Sequence, residues 1–155
     1  MEQLSFAEEE LDAVWSEGAI YNMGFAEGIE AWRKYLKLGG ILAVSELTWL
    51  SDERPEELQV YWDREYPKVD TASAKMAILE RLGFSPTGYF VLPENCWLEN
   101  YYWPMQKRFA EFLEQHKNSD SARAIVEAAE NEISFYERHT SFVGYCYYIA
   151  RKVSG

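Results

Sequence analysis

The sequence predicts an α/β fold built on a parallel sheet, and the prediction rests on two apolar runs and the segment that joins them. Residues 13–16 and 41–46 form short, nearly continuous apolar runs, which is typical of parallel strands covered on both faces. Apolar residues recur between them at helical spacing, at Phe25, Ile29, Trp32 and Leu36. A strand, a helix and a strand in this order form a right-handed crossover, so the carboxyl ends of both strands meet at one edge of the sheet.

The bounds of the other elements follow from apolar spacing and from chain breakers. The first helix is predicted over residues 25–37, ended by Gly39 and Gly40. A short amphipathic helix around Leu58 ends before Pro67. Further along, the pattern predicts a helix over residues 74–82 with Ala74, Ile78 and Leu82 on one face, and a third buried strand over residues 89–92.

A helical insertion is predicted over residues 93–140, before a fourth strand at 142–149. Pro104 suits the first turn of one helix, and Ile125, Ala129, Ile133 and Tyr136 mark another. We therefore expect a single domain over residues 1–155. It would be a three-layer sandwich of about four strands with helices on both faces.

Composition excludes several classes of function. The chain has 155 residues and a net charge of −11, so nucleic acid is not an expected partner. No apolar run approaches the roughly 20 residues of a membrane span, and the acidic start is unlike a signal peptide. We expect a cytoplasmic protein with no membrane partner. Cys96 and Cys146 lack metal-ligand spacing, which predicts reduced core thiols and no metal site.

Two glutamates mark the expected functional edge. Glu17 follows the first predicted strand and Glu46 ends the second, where open α/β sheets bind their ligands. Carboxylates at such positions are also common as solvated loop-end acids or helix caps, so the residues alone leave both interpretations open.

Several segments together resemble class I S-adenosylmethionine-dependent methyltransferases. The similarity is carried by Leu11-Asp12-x-Val14-Trp15-Ser16-Glu17-Gly18-Ala19-Ile20, by Trp32-x-x-x-Leu36-x-x-Gly39-Gly40 before a strand, and by Arg81-x-Gly83-Phe84. It is strongest over residues 1–50 and 93–102, and the most similar group is the small-molecule methyltransferases related to ubiquinone and menaquinone methyltransferases. The resemblance implies the strand order first, second, last, third, with the last strand antiparallel to its neighbours.

The chain departs from the family pattern at its start. The family's glycine-rich cofactor loop, which follows its first strand, has no counterpart here. The chain thus resembles a truncated, C-terminal part of such an enzyme, with the family's strands four to seven. We expect that this chain by itself binds S-adenosylmethionine weakly or not at all.

The resemblance also implies roles for particular residues. Those expected to border the cofactor are Met1, Glu2, Ser16, Glu17, Gly18 and Ala19. Those expected on the substrate side are Tyr21, Asn22, Glu46, Trp49, Trp97 and Tyr101. No residue is assigned a catalytic proton transfer, and the substrate is an unknown small molecule.

Aromatic residues and histidines in the insertion allow more than one interpretation. The cluster around Trp97 and Tyr101 fits a lid over a small substrate or a plain helical core. His116 and His139 stand in polar contexts and are predicted at the surface.

Two functions and one partner follow from these observations. The first function is methyl transfer from S-adenosylmethionine to a small molecule; the alternative is a non-catalytic binding or assembly module derived from such an enzyme. The first strand, with Ala13, Val14 and Trp15 and no proline or lysine, is expected to present a bare edge. Such edges pair with other chains, which predicts a homodimer through this strand. The alternative is a monomer in which Leu4 and Phe6 fold over that edge.

Overall fold

The computed structural model describes residues 4–154, and these form an α/β protein with two compact units. The sheet unit comprises the described residues up to Leu92 and from Ser141 onward. The helical unit is Pro93–Thr140, the same residues as the predicted insertion. The predicted α/β class is confirmed.

The sheet unit contains five strands around a long central one. The strands are β1 (Leu11–Ser16), β2 (Leu36–Trp49), β3 (Asp70–Thr71), β4 (Phe84–Val91) and β5 (Val143–Lys152). Their order is β1-β2-β5-β4, with the two-residue β3 also paired to β2. β1 and β3 run parallel to β2, whereas β5 runs antiparallel to both β2 and β4. The expected order of the four main strands and the antiparallel last strand are therefore confirmed.

The first helix is shorter than predicted and the second strand is longer at both ends. The helix α1 spans Phe25–Arg33, and β2 already begins at Leu36. Leu36 pairs with Leu11, and the next pair is Ala13 with Ile41, so residues 37–40 bulge out of the ladder. Gly39 has φ +82°, which suits such a bulge. Gly39 and Gly40 thus belong to an irregular strand and do not end the helix.

Helices α1 and α3 pack on one face of the sheet. Helix α2 spans Glu56–Glu65, and α3 spans Ala72–Arg81. The core on this face is fully buried and joins every long strand except β1: Ile20, Phe25, Ile29, Trp32, Leu36, Leu42, Val44, Leu79, Phe84, Cys146, Tyr148 and Ala150. The buried positions of α3 are Lys75 and Leu79. The predicted face of Ala74 and Ile78 is only half-buried, so the helix is rotated by about one residue from the expected orientation.

Strand β4 is longer than the predicted 89–92. An irregularity in its pairing with β5 interrupts the apolar pattern, so the sequence does not indicate where the strand begins. It begins at Phe84, and its pairing with β5 shifts between Pro86 and Gly88. Proline is tolerated on edge strands and at bulges, where no ladder hydrogen bond is needed from its nitrogen. The apolar run that marks the strand in the sequence is therefore only its regular second half. This half is not buried as predicted, because β4 is an edge strand of the described sheet and Tyr89, Phe90 and Val91 are exposed.

The helical unit contains short helices followed by one long helix. They are α4 (Asn95–Trp97), a π-helical turn (Leu98–Tyr102), α5 (Trp103–Gln106), α6 (Phe109–Gln115) and α7 (Asp120–His139). Pro104 lies in the first turn of α5, as predicted. Ser119 caps α7 by accepting a hydrogen bond from the Ala122 N–H at 3.3 Å. None of the helices within residues 4–154 combines the length and the apolar character that a membrane crossing requires.

Gly28 in α1 gives a test of how closely this helix approaches the sheet unit's core. A Cβ at position 28 would lie 2.7 Å from Cγ1 of Ile20, and Ile20 is fully buried. We expect Gly28→Ala to lower the free energy of unfolding by about 1–2 kcal/mol, because overpacking outweighs the better helix propensity of alanine. Urea denaturation followed by circular dichroism measures this. The exposed Glu30→Ala should change it by less than about 0.5 kcal/mol. A stabilised Gly28→Ala variant would contradict the close approach.

Candidate functional site

The chain leaves β1 through a tight turn that is fastened to β2. The Gly18 N–H donates a hydrogen bond of 2.8 Å to Oγ of Ser45. Gly18 has φ +54°, and nothing lies within 4 Å of the position of a Cβ there. Glycine is therefore favoured by the backbone conformation and not by lack of space. The turn directs residues 17–19 across the end of the sheet, and the 3₁₀ turn Ile20–Asn22 follows.

Ser16, the last residue of β1, carries a buried hydroxyl with no partner. The residue is 8% exposed, and its Oγ makes no hydrogen bond to any of the described residues. Buried hydroxyls in proteins almost always have a partner. An unsatisfied hydroxyl at the carboxyl end of a parallel strand marks a position that a polar ligand group or a water can satisfy.

The Glu17 carboxylate lies between two aromatic side chains. Its Oε1 accepts hydrogen bonds from Nε1 of Trp15 at 2.9 Å and from the hydroxyl of Tyr147 at 3.3 Å. The Trp15 and Tyr147 rings are 5.5 Å apart between centroids, and Trp15 is 70% exposed. Burial, and next the charge of Glu17, raises the pKa of Tyr147 to about 12, so Tyr147 remains a hydrogen-bond donor at neutral pH. The arrangement presents a carboxylate and aromatic faces together, which suits a cationic group.

Glu46 lies in the interior of the sheet unit. The strand continues three residues beyond it to Trp49, so Glu46 does not end β2 as predicted. Its side chain is on the face covered by α1 and α3 and is 0% exposed. Oε1 accepts a hydrogen bond from the Leu47 N–H at 2.8 Å, and Oε2 accepts one from the hydroxyl of Tyr66 at 3.2 Å.

Lys75 of α3 supplies a positive charge that acts on this carboxyl. Burial raises the pKa of Glu46, and the charge of Lys75 opposes that shift. Burial likewise lowers the pKa of Lys75, opposed by Glu46 and then by Asp70. Lys75 is 1% exposed, and its Nζ lies 4.8 Å from the ring centroid of Phe25. The sequence analysis missed Lys75, because a lysine in an amphipathic helix normally indicates the solvent face.

One predicted substrate residue, Tyr21, is linked to the buried Glu46 through Tyr66. The Tyr21 ring contacts the Tyr66 ring edge-on, with centroids 6.2 Å apart. Asn22 instead donates from Nδ2 to the Ala19 carbonyl at 3.0 Å, which fixes the 3₁₀ turn. The half-buried Tyr66 therefore connects the exposed Tyr21 with the buried Glu46. Sequence reasoning did not single out Tyr66.

The remaining predicted residues lie elsewhere. Trp49 is buried, and the guanidinium of Arg54 stacks on its ring at 4.2 Å. Trp97 and Tyr101 belong to the helical unit, where their rings meet edge-on at 5.1 Å. Met1 and Glu2 lie outside the described residues.

Other candidate ligands and bases are accounted for within each unit. His139 is buried, not at the surface as predicted, and its Nδ1 lies 2.8 Å from the Phe135 carbonyl oxygen because it occupies the inner face of α7. Cys96 and Cys146 are free thiols, and only Cys146 is fully buried. Over residues 4–154 no three or more His, Cys, Asp and Glu side chains are grouped so that they could hold a metal ion.

Comparison with solved structures identifies the fold. The chain matches no protein-family model and no curated protein sequence. It is similar to S-adenosylmethionine-dependent methyltransferases from Geobacter sulfurreducens and Thiobacillus denitrificans, both in complex with S-adenosyl-L-homocysteine. Each is 17% identical to this chain. The matched region covers 94% of this chain and 59% of the other chain in both cases, with TM-scores of 0.75 and 0.74. The [4+2]-cyclase SpnF is 21% identical, with a TM-score of 0.68, and covers 99% of this chain and 54% of its own.

These similarities show that the chain has the Rossmann-like fold of class I methyltransferases. The chain spans less than two thirds of the length of these structures. At identities of 17% and 21% the similarity is one of fold.

The electrostatic interaction of Glu46 with Lys75 predicts a pH-dependent loss of stability when the lysine is removed. Lys75→Met leaves the carboxylate buried without its opposite charge and should lower the free energy of unfolding by about 3 kcal/mol at about pH 7.5. The folded-state pKa of Glu46 is raised, so the cost of burying it grows as the pH rises through that pKa. The deficit of Lys75→Met should therefore shrink on acidification to about pH 5, where more of the carboxyl is protonated.

Urea denaturation at both pH values measures this deficit. For the double variant Lys75→Met/Glu46→Gln, the free energy of unfolding should differ much less between the two pH values than it does for Lys75→Met, since the titrating group is gone. A deficit of Lys75→Met that is equal at both pH values, or that grows on acidification, would show that Lys75 does not compensate Glu46.

Proposed function

We propose that this chain carries part of the site of an S-adenosylmethionine-dependent methyltransferase that acts on a small molecule. The observation that carries the proposal is its superposition, over 94% of its length, on methyltransferases that hold the demethylated cofactor. The resemblance of the sequence through residues 11–20 supports the same assignment. It also supports placing the chain among the methyltransferases related to ubiquinone and menaquinone methyltransferases.

The residues at the end of β1 fit the charged end of this cofactor. The unpartnered hydroxyl of Ser16 can accept or donate one hydrogen bond. The Glu17 carboxylate, held by Trp15 and Tyr147, supplies negative charge beside aromatic faces. Gly18 and Ala19 would line the same position, and we assign Met1 and Glu2 to the cofactor as well, on the sequence resemblance.

Methyl transfer requires that the acceptor be positioned against the methyl group and that the cationic donor be stabilised electrostatically. When bound, S-adenosylmethionine supplies a methyl group on a cationic sulfonium. Glu17 and the Trp15 ring favour a cation at this edge, and the hydrogen bond from Gly18 to Ser45 holds the turn that places them. The remaining task is to hold the acceptor in line, for which we propose the exposed Tyr21 and Asn22 of the sheet unit.

Methyl transfer is favoured over other uses of this fold by the similar structures that contain the cofactor product. One similar structure is a [4+2]-cyclase, and fold alone does not determine chemistry. Nothing in the comparisons supports the alternative of a non-catalytic binding or assembly module. A cytoplasmic location remains a prediction from the sequence.

The assignment of Glu17 can be tested by the binding of the cofactor to the full chain. We expect S-adenosylmethionine to bind more weakly than about 1 μM, about −8 kcal/mol. Saturation-transfer NMR should detect it, with the strongest transfer to protons beside the sulfur. Glu17→Gln should weaken the binding about threefold to tenfold, because one exposed carboxylate contributes modestly to binding a cation.

The control is Asp12→Asn, which removes the same charge from the other end of β1, where Asp12 pairs with Lys37. It should leave the binding unchanged. Equal effects of the two variants would contradict the placement of the sulfonium at Glu17. A dissociation constant near 1 μM by calorimetry would contradict the expected weak binding.

We further propose that the chain forms a homodimer through the open edge of β1. Among the described strands, β1 pairs only with β2, and Ala13 and Trp15 are exposed on it. Leu4 packs against the core, and its carbonyl accepts a hydrogen bond from the Tyr35 hydroxyl at 3.3 Å, yet Trp15 remains uncovered. Pairing of this edge with a second copy satisfies its free backbone groups and follows the commonest symmetry of oligomers.

Sedimentation velocity at micromolar concentration tests this. We expect a dimer for the unchanged chain and a monomer for Trp15→Lys, because a charge on the edge opposes strand pairing. Val60→Lys, at an exposed apolar position of α2, should remain dimeric. A monomeric unchanged chain would refute the proposal, and a dimeric Trp15→Lys would place the interface elsewhere.

A further inference from the structure

The helical unit contains a cavity of its own, formed between the short helices and α7. Its volume is about 530 Å³, within the range of roughly 300–1,000 Å³ that small-molecule sites occupy. Its lining residues are mostly apolar: Asn100, Tyr101, Pro104, Met105, Arg108, Phe109, Glu111, Phe112, Gln115, Ile125, Val126 and Ala129. All of them lie within the helical unit, so the cavity is a feature of this unit alone.

Apolar surface in this cavity is left uncovered by the helices themselves. Ile125 was predicted on the inner stripe of α7, but it is 59% exposed, and Tyr101 is 49% exposed. The buried contacts of α7 are instead made by Val126, Ile133 and Tyr136, among others. Large apolar side chains that line a concave surface without being buried gain free energy when an apolar ligand covers them.

Arg108 gives the cavity an unused positive charge. Its backbone is fixed at the junction of α5 and α6, where its N–H donates to the Met105 carbonyl at 3.0 Å and its carbonyl accepts from Phe112 at 2.9 Å. Within residues 4–154 its guanidinium has no ion pair and no side-chain hydrogen bond. Five N–H donors in a planar fork are thus available to a carboxylate or a phosphate.

The other charged group of the cavity does not neutralise Arg108. Glu111 accepts a hydrogen bond of 3.0 Å from Nε2 of Gln115 and forms no ion pair with the guanidinium. In a chain of net charge −11, a general attraction for anions is excluded, so recognition of an anion here depends on Arg108. A cation would have to rely on Glu111, which already has a partner.

The geometry points to a binding site for a small amphiphilic anion, with an apolar body in the cavity and one carboxylate or similar group at Arg108. This site is independent of the proposed methyl transfer, since every residue that forms it lies in the helical unit. The volume suits a compact molecule of drug size. A partner helix would be anchored by a row of apolar residues along a longer groove.

Binding of three matched probes to the full chain tests the site: 4-phenylbutyrate, its primary amide and 4-phenylbutylamine. They share the apolar body and differ in charge. By calorimetry we expect the carboxylate to bind about tenfold more tightly than the amide, because a charge-assisted bidentate pair is lost in the amide. The amine should bind most weakly. Arg108→Gln should reduce carboxylate binding to the level of the amide.

Two further variants separate the site from general effects. Lys107→Gln removes a neighbouring charge that does not line the cavity and should leave all three affinities unchanged. Ile125→Glu changes an exposed position, so folding checked by circular dichroism should persist, and it should weaken the carboxylate and the amide. Equal binding of the carboxylate and the amide, preference for the amine, no effect of Arg108→Gln, or no binding of any probe at about 1 mM would each overturn the proposal.

Discussion

The sheet unit depends on the pairing of β2, the longest of the described strands, which pairs with β1, β3 and β5. From Leu42 to Trp49 every residue of this strand is buried. Its two faces have separate consequences. One face carries Val44 into the core beneath α1 and α3, whereas Ser45 on the other face holds the turn after β1 through the Gly18 N–H. The candidate site is therefore positioned by the most constrained strand in the unit.

The same strand also buries a charge. Removing a carboxylate from water costs several kcal/mol unless an opposite charge and hydrogen bonds compensate for it. Lys75 provides the charge, and the Tyr66 hydroxyl and the Leu47 N–H provide the hydrogen bonds. Glu46 thereby ties β2 to α3 and to the end of α2. Because Tyr66 also contacts Tyr21, the packing of the interior is linked to the residues at the end of β1.

The two units present different chemistry. The sheet unit offers Glu17 with aromatic faces, which favours a cationic group. The helical unit offers an apolar cavity with the guanidinium of Arg108, which favours an anion. The apolar residues of the helical unit form two groups. Tyr102, Ile133 and Tyr136 form a small buried core. Ile125 and Tyr101 remain half-exposed around the cavity.

Much of the fold follows from the sequence alone. Apolar runs without alternation identified β1 and β2 as parallel strands, and the spacing of Phe25, Ile29 and Trp32 identified α1. The expected burial of both faces holds for β2 from Leu42 onward and is wrong for β1, because no element within the described residues covers Ala13 and Trp15. The class and the position of Glu17 at the end of β1 were accessible in this way, whereas the strand order was implied by the resemblance to class I methyltransferases. Residues 37–40 and Pro86 show where prediction of strand bounds from sequence fails. Bulges at these positions interrupt the strand pairing, and the glycine pair within 37–40 fits a helix end equally well.

What only the tertiary structure decided is which polar groups share an environment. Glu46 in the sequence is one carboxylate after an apolar run, and Lys75 is one lysine in an amphipathic helix. Their burial together depends on the rotation of α3 against β2, and local patterns do not set that rotation to within one residue. The same holds for Ile125, which has the spacing of a core residue but is exposed beside the cavity. Helical periodicity defines a stripe on a helix, whereas the elements packed against it determine which edge of that stripe is covered.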